Sequence, residues 1–399
     1  GCTMKGHNSM SRKSLTSFSP LIVGIAALTT VACAVNMDNW KLTKMVPGLR
    51  QEGEAICPRS TVQVAVYAEV EHKKKAGKTK ALETWEGKAG TFSKVGHIDF
   101  KEFVFSSDQG TIDDDGFFQP NPDVLVSAAS GFAITTAYKD DAKFYATKEY
   151  RPEYSCITDV GSAGPGGMSG DAGTVGAAGS SGASGASDKA GGQGGAGVAG
   201  GQGSNGGDGQ AGPSLHVYAT LVKTPFHERL ALVKITGDVE DTVLVHPDRP
   251  FTVHASGGPG GGGGSGGSGG SGGRGGSGNP GGAGGNGGVG GGGGVGGNGG
   301  PGGAIQFDYD AKFPELATLV VLDVAGGSGG GPGSAGAAGS RGSGGSATGE
   351  GAKAGPDGAA GSAGSAGQAG ASGPNGTAKA QAGDVDGAFA GLPAQVERL

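Results

Sequence analysis

Apolar residues recur at every second position through much of residues 61–160. In "TVQVAVYAEVE" the series Val62, Val64, Val66, Ala68 and Val70 falls on one face, the period of a half-buried strand. "HIDFKEFVF", "DVLVSAA", "FAITTAY" and "KFYATKEY" follow with turn residues between them and predict further strands. Short strands at this spacing predict a β-sandwich over 61–160, preceded by a linker at 34–60. A second alternating region is split. Residues 214–256 carry "LHVYATLVK", "RLALVKITG", "TVLVH" and "PFTVHAS", and residues 304–325 carry "AIQFDYD" and "ATLVVLDVA". Neither half has enough strands to bury a core alone, so the chain at 257–303 must return to the point it left.

What lies between these regions is glycine in register. From Gly161 to Gly212 every third residue is Gly at 17 of 18 positions, Asp188 being the exception. From Gly257 to Gly302 the period is unbroken, and the next residue is also Gly in 15 of 16 cases, Asn279 being the exception. A third stretch keeps the period over Gly327 to Gly345 and again over Gly355 to Gly376. A flexible linker needs no such register. "SDKA" at 187–190, "SGNPG" at 277–281 and "SATGEGAKA" at 346–354 interrupt each stretch near its middle with turn residues. The glycine-rich material therefore reads as three hairpins, 161–213, 257–303 and 326–383, with six legs. At three residues per turn and about 3.1 Å rise, each leg spans about 65 to 75 Å as a left-handed extended helix. Such a helix has no internal hydrogen bonds, so its backbone groups need water or a neighbouring leg. Legs three and four present two glycine faces and the other four mostly one, as packing in the middle of a bundle requires.

The Gly-Gly-X and Gly-X-Y register resembles that of polyglycine II bundle proteins, such as snow flea antifreeze protein and certain phage tail-fibre adhesins. Bacterial collagen-like proteins share Gly-X-Y, but 161–212 contains only Pro165, fewer imino acids than a triple helix favours. Collagen-like trimer and disorder remain the rivals. In the first β region, Gly110, Ile112, Asp113, Gly116 and Phe117 carry a G-x-I-D-x-x-G hairpin that resembles bacterial Ig-like domains. The expected fold is mainly β: an Ig-like β-sandwich plus a split β module carrying a six-legged polyglycine II helical bundle, with a C-terminal tail at 384–399.

Composition limits the function. There are 92 glycines and 19 prolines in 399 residues, a level at which disorder is the default unless a pattern overrides it. A net charge of −6 without long single-sign runs implies no nucleic-acid partner. The one basic cluster, His72 to Lys80, reads as a solvated hairpin loop. Near the N-terminus Arg12 and Lys13 precede an 11-residue apolar stretch, Leu21 to Val31, then small residues and Cys33. Met4 or Met10 is a candidate start of this segment. That is a secretory signal, too short to span a bilayer. Its end, "TVAC", resembles a bacterial lipobox with Thr30 where Leu is usual. The resemblance implies lipidation of Cys33, a membrane partner through the lipid anchor, and export to the outer membrane or cell surface; ordinary cleavage nearby is the alternative. Cys2 lies upstream, which leaves Cys57 and Cys156 either as one disulfide or as two unrelated buried thiols.

Candidate chemistry is sparse. "GQGSNG" at 201–206 has no strand before it and no helix after it, so it is not a dinucleotide fingerprint. "AGKTK" lacks the first glycine of a phosphate loop, with His72 in its place. His246, Asp248 and His254 form the best metal-like cluster but lack a third firm ligand at known spacing. Asp113 to Gly116 lacks the ligand spacing of an EF-hand loop. The expectation is a non-catalytic surface protein, structural or adhesive, without catalytic, cofactor or metal residues, monomeric, with an unidentified surface or matrix ligand. A binding module for ice or polysaccharide, using Ala/Ser rows in legs one and six, is the second reading.

Overall fold

Alternation becomes sheet wherever the two faces of a strand meet different surroundings. The computed structural model describes residues 34–50, 54–84 and 96–399, divided into a first unit ending at Glu153 and a second from Tyr154 to Leu399. The signal segment, with Cys2 and Cys33, lies outside the described residues.

The first unit contains β1 (Trp40–Leu49), β2 (Ala55–Ile56), β3 (Val62–His72), β4 (Thr79–Glu83), β5 (Gly96–His97), β6 (Phe103–Ser106), β7 (Gly110–Ile112), β8 (Phe117–Pro120), helix α1 (Val124–Ser130), β9 (Phe132–Tyr138) and β10 (Tyr145–Pro152). One sheet runs β5-β4-β3-β8-β7 with β1 also on β3, and the other runs β2-β10-β9-β6. Leu42, Val66, Ala68, Val70 and Leu82 of the first sheet pack with Phe103 and Tyr138 of the second. Val62, Val64 and Phe118 likewise meet Phe132, Ile134 and Tyr150. This is a β-sandwich-type core. The G-x-I-D-x-x-G segment forms the β7–β8 hairpin, in which Asp113 Oδ1 accepts from the backbone N–H groups of Asp115 and Phe117 at 3.1 and 2.8 Å. Gly116 has φ of +77°, which turns the chain at a point where a Cβ would be strained.

Three sequence expectations are corrected here. Residues 34–60 are not a linker: β1 pairs with β3 from Trp40↔His72 to Leu49↔Val64, and the shift between Leu42 and Lys44 breaks the alternation that would have exposed it. "DVLVSAA" is helix α1, because Asp123 caps its start and Val124, Ser127 and Ala128 bury one helical face. The sandwich ends before residue 160, since β11 (Asp159–Gly161) pairs with β15 (Phe251–His254) in the second unit. Cys57 and Cys156 are disulfide-bonded.

The second unit continues with β12 (Ser214–Lys223), β13 (Leu230–Gly237), β14 (Asp241–Val245), β15, β16 (Ala304–Asp310), helix α2 (Leu316–Leu319), β17 (Val320–Asp323), β18 (Thr377–Gly383) and β19 (Glu397–Arg398). Two sheets form: β11-β15-β17, all parallel, and β14-β13-β12-β16-β18, in which β12, β16 and β18 are parallel and β19 pairs with β12. The split module is thus joined by β12 lying beside β16. Three further expectations change. "ATLVVLDVA" opens with α2 and only then becomes β17, and 377–383 is strand rather than hairpin. The stretch 384–399 is not a tail, because Val385, Phe389 and Val396 are buried and Arg398 pairs with Val222. Its apolar residues are too sparse to show a period.

Between the strands run six legs without helix or strand assignment: 162–186, 191–213, 255–277, 281–303, 324–345 and 355–376. Backbone hydrogen bonds, most at 2.7 to 2.9 Å, join them at every third residue. Consecutive legs are antiparallel: the N–H of Gly195 donates to the carbonyl of Ser180, and three residues later Val198 donates to Ala177. Alternate legs are parallel: Gly167 donates to Pro259 and Gly170 to Gly262, and Gly197 donates to Asn286 and Gly200 to Val289. Legs 1, 3 and 5 therefore make one layer and legs 2, 4 and 6 another. The first layer grows out of β11-β15-β17 and the second runs into β12-β16-β18, each in the same order. Leg 3 bonds to legs 1, 2, 4 and 5, and leg 4 to legs 2, 3, 5 and 6. Those two legs carry Gly at two of every three positions. A Cβ at Gly264 would collide with the carbonyl oxygen of Asp171, and one at Gly291 with that of Gly201.

Gly264→Ala and Gly291→Ala should each destabilise the second unit by about 1–3 kcal/mol, the cost of overpacking, in chemical denaturation, while Ser268→Ala on an outward row should leave the midpoint unchanged. Replacing Cys57 and Cys156 together by Ser should lower stability by about 4–5 kcal/mol, the loop-closure value for a loop of about 100 residues.

Candidate functional site

Two regions of the second unit present side chains in an organised way. On β12, Leu215, Val217, Ala219 and Leu221 are buried, which turns His216 and Tyr218 to the opposite face. Parallel pairing with β16 places Asp308 across from Tyr218. His216 Nε2 lies 2.7 Å from Asp308 Oδ2, and Tyr218 Oη lies 2.9 Å from His216 Nδ1. With Nε2–H donating to the carboxylate, Nδ1 is left to accept from the phenol, and the two rings stack at 4.2 Å and 26°. One row further on, Thr220 and Arg398 both donate to Asp310 Oδ2, at 2.8 and 2.9 Å. Arg398 also holds Asp386 at 2.5 Å, which ties the C-terminal strap 384–399 to the sheet. Lys234 on β13 donates to the carbonyl of Ala388 at 2.9 Å. Beneath that strap an open cleft of ≈ 440 Å³ is lined by Tyr218, Lys234, Thr236, Asp384 and the segment through Ala388.

A second His–Asp pair sits at the foot of the other layer. His254 on β15 meets Asp323 on β17, Nδ1 to Oδ2, at 2.8 Å, and Asp323 Oδ1 also accepts from the N–H of Ala325 where leg 5 begins. The His254 hydrogen bond and that N–H hold the Asp323 carboxyl below the usual range. Burial works to raise Asp308, but hydrogen bonds from His216, Gln381 and Gln306 outweigh it and leave the carboxyl low. Asp310 is lowered in the same way, with burial outweighed by the Lys312 N–H, Thr220 and Arg398.

The outer rows of the legs are the other organised surface. A methyl at Gly292 of leg 4 would touch Ser365 of leg 6 at 3.6 Å and Gln202 of leg 2 at 3.9 Å, which identifies the row on that face. Here Asn205 and Asp208 accept from the N–H groups of Val295 and Asn298, and Asn286 and Asn298 accept from Ala359 and Ala371, at 2.6 to 2.9 Å. Amide and carboxylate side chains thereby satisfy N–H groups that the interleg ladder leaves over. On the opposite face Gly262 of leg 3 looks toward Gly331 of leg 5, and the same rows carry Ser265, Ser268 and Ser334, Ala337. The two Ala/Ser-rich legs, 1 and 6, belong to opposite layers, so their rows do not make one continuous face.

The metal-like cluster of the sequence dissolves. His254 is engaged by Asp323, and the His246 ring packs edge-on against His227 at 5.5 Å. Among the described residues no group of three or more His, Cys, Asp or Glu could hold a metal ion. Asp113 caps its own turn. His216, Tyr218, Lys234, Asp308 and Asp310 were not singled out from the sequence. The signal for them was the polar set at alternate positions of "LHVYATLVK", "AIQFDYD" and the "VKITG" end of β13, opposite the apolar face. Comparison with protein-family models, curated proteins and solved structures finds no match. No described helix is long and apolar enough to cross a membrane.

Carboxyls held low in the fold stabilise it above their unfolded pKa of about 3.9, and that contribution disappears as pH falls through the lower, folded value. Unfolding midpoints of the wild type should therefore fall steeply below about pH 4. Asp323→Asn should lower stability at neutral pH and flatten that acid limb; an unchanged limb would show that the His254 pair is not a stabilising contact.

Proposed function

We propose that this chain is a non-catalytic structural or adhesive protein of the cell surface, exported and held by a lipid on Cys33, whose six legs form a polyglycine II bundle acting as a stiff projection. The observation that carries this reading is the ladder of interleg hydrogen bonds at every third residue, rooted in two sheets whose leg-bearing strands run parallel and keep the order of the legs. A tether would have no use for that register, and a chain whose legs bond to each other within one molecule has its backbone groups satisfied without trimerisation. The period of three, the absence of helix or strand in the legs and the close backbone approach at glycines are the features that a bundle of extended three-fold helices requires. Surface display accords with the disulfide between Cys57 and Cys156, a bond of oxidising compartments.

A second reading, recognition of a repetitive ligand such as ice or polysaccharide, draws on the Ser and Ala rows of legs 1, 3 and 5. It is confined to that one layer, because the opposite layer uses its Asn and Asp side chains to stitch its own legs. Thermal hysteresis or inhibition of ice recrystallisation, abolished by bulky replacements at Ser268 and Ala337, would favour it over a purely structural role.

Hydrogen exchange across residues 257–303 of the monomer is the decisive experiment. Protected glycine amides are expected, with the slowest exchange in legs 3 and 4; exchange at random-coil rates would make the glycine-rich stretches tethers. Fatty-acid labelling in a bacterial host should mark the wild type and not Cys33→Ser.

A further inference from the structure

The cleft under the C-terminal strap is separate from the legs and is not needed by a stiff projection. Its lining is a set of polar groups each held by one partner and each left with unused capacity. Tyr218 Oη donates to His216 Nδ1 and keeps its lone pairs. His216 is fixed in turn by Asp308, so the phenol is positioned by a two-step chain rather than by its own rotamer. Lys234 spends one N–H on Ala388 and has two more. Thr236 Oγ1 donates to the His216 carbonyl at 3.3 Å and can still accept. Asp384 accepts from the N–H of Asp386 through Oδ1, which leaves Oδ2.

We infer that this cleft, lined by Tyr218, Lys234, Thr236 and Asp384, binds one or two units of a neutral, hydroxyl-rich saccharide. Three features select that class. The lining holds one ammonium and one carboxylate, so the cleft has no charge excess to hold a phosphate or a polyanion. The lining offers donors and acceptors together, which suits hydroxyls that both donate and accept. The Tyr218 ring, already stacked on His216, supplies the flat apolar surface that the C–H face of a sugar covers, and ≈ 440 Å³ lies within the usual range for a small-ligand site. The inference goes beyond the structural role of the legs and does not rest on it. For a surface protein it adds a glycan contact at the base of the projection.

The test is saturation-transfer difference NMR on the full chain with maltohexaose, cellohexaose and chitohexaose as separate probes, followed by titration of any that bind. At least one is expected to bind, and Tyr218→Ala should weaken it tenfold or more. Lys234→Met and Asp384→Ala lie outside the β12 core face and should each weaken binding severalfold; they carry the test if Tyr218→Ala does not fold. Absence of binding by all three sugars would overturn the proposal, as would binding untouched by Lys234→Met and Asp384→Ala, or saturable binding of inorganic phosphate that displaces the sugar.

Discussion

Everything in the second unit depends on one repeated interaction, a backbone hydrogen bond between neighbouring legs at every third residue. It needs two backbones in close approach, and at most of its positions the donor is a glycine at which an added methyl would strike backbone of the neighbouring leg. Glycine is unfavourable there for the unfolded chain, which has more freedom to lose. The structure offsets that cost by satisfying the backbone groups that an extended leg cannot satisfy alone. The amount of glycine then follows position. Legs 1 and 6, each bonded to two legs, have one bare face; legs 3 and 4, each bonded to four, have two; legs 2 and 5 are intermediate, with Val198, Ser204 and Gln210 replacing the second glycine on the side where leg 2 meets leg 1.

Glycine legs bury little apolar surface, so something else has to hold their ends in order. The two sheets at their feet do this with an ordinary hydrophobic interior: Leu215, Val217 and Leu221 on β12, Leu230 to Val233 on β13, Phe251 and Val253 on β15, Phe307 on β16. Because β12, β16 and β18 are parallel and adjacent, and so are β11, β15 and β17, each sheet sets the register of the three legs attached to it. The His216–Asp308 and His254–Asp323 pairs cross between neighbouring parallel strands, one in each sheet. The side chains that serve one layer of legs are thus continuous with the strands that anchor it.

The same sheets also supply the chemistry that the legs lack. Outside faces of glycine-rich legs offer small, repeated groups and a few amides already used within the layer. By contrast the β12–β13 surface gathers a phenol, an imidazole, an ammonium and carboxylates around a cleft, and the strap ending in Arg398 closes one side of it. On the proposed reading, display and recognition belong to different parts of one unit: the legs supply reach, and the anchoring sheet supplies a place for a ligand.

Period carried most of what was legible beforehand. Alternation located β3, β9, β12 and β13, and the glycine register marked six legs and their turns, because both patterns are imposed locally by which face of the backbone is covered. Alternation misled at 34–60, where a bulge after Leu42 breaks it, at Val124 to Ser130, where a short apolar run suits helix as well as strand, and at 384–399, where three buried apolar residues are too widely spaced to show one. The sequence by itself determined that legs exist, how long they are, and that the middle two have two faces in contact. Only the tertiary structure decided that odd and even legs form separate layers, that legs 1 and 6 therefore lie in opposite layers, and that His216, Tyr218, Lys234 and Asp384 meet at one cleft. Those outcomes depend on pairing between strands far apart in the chain, such as β12 with β16 (Ser214 beside Ala304) and β12 with β19 (Val222 beside Arg398), and no local period records which distant strand lies alongside.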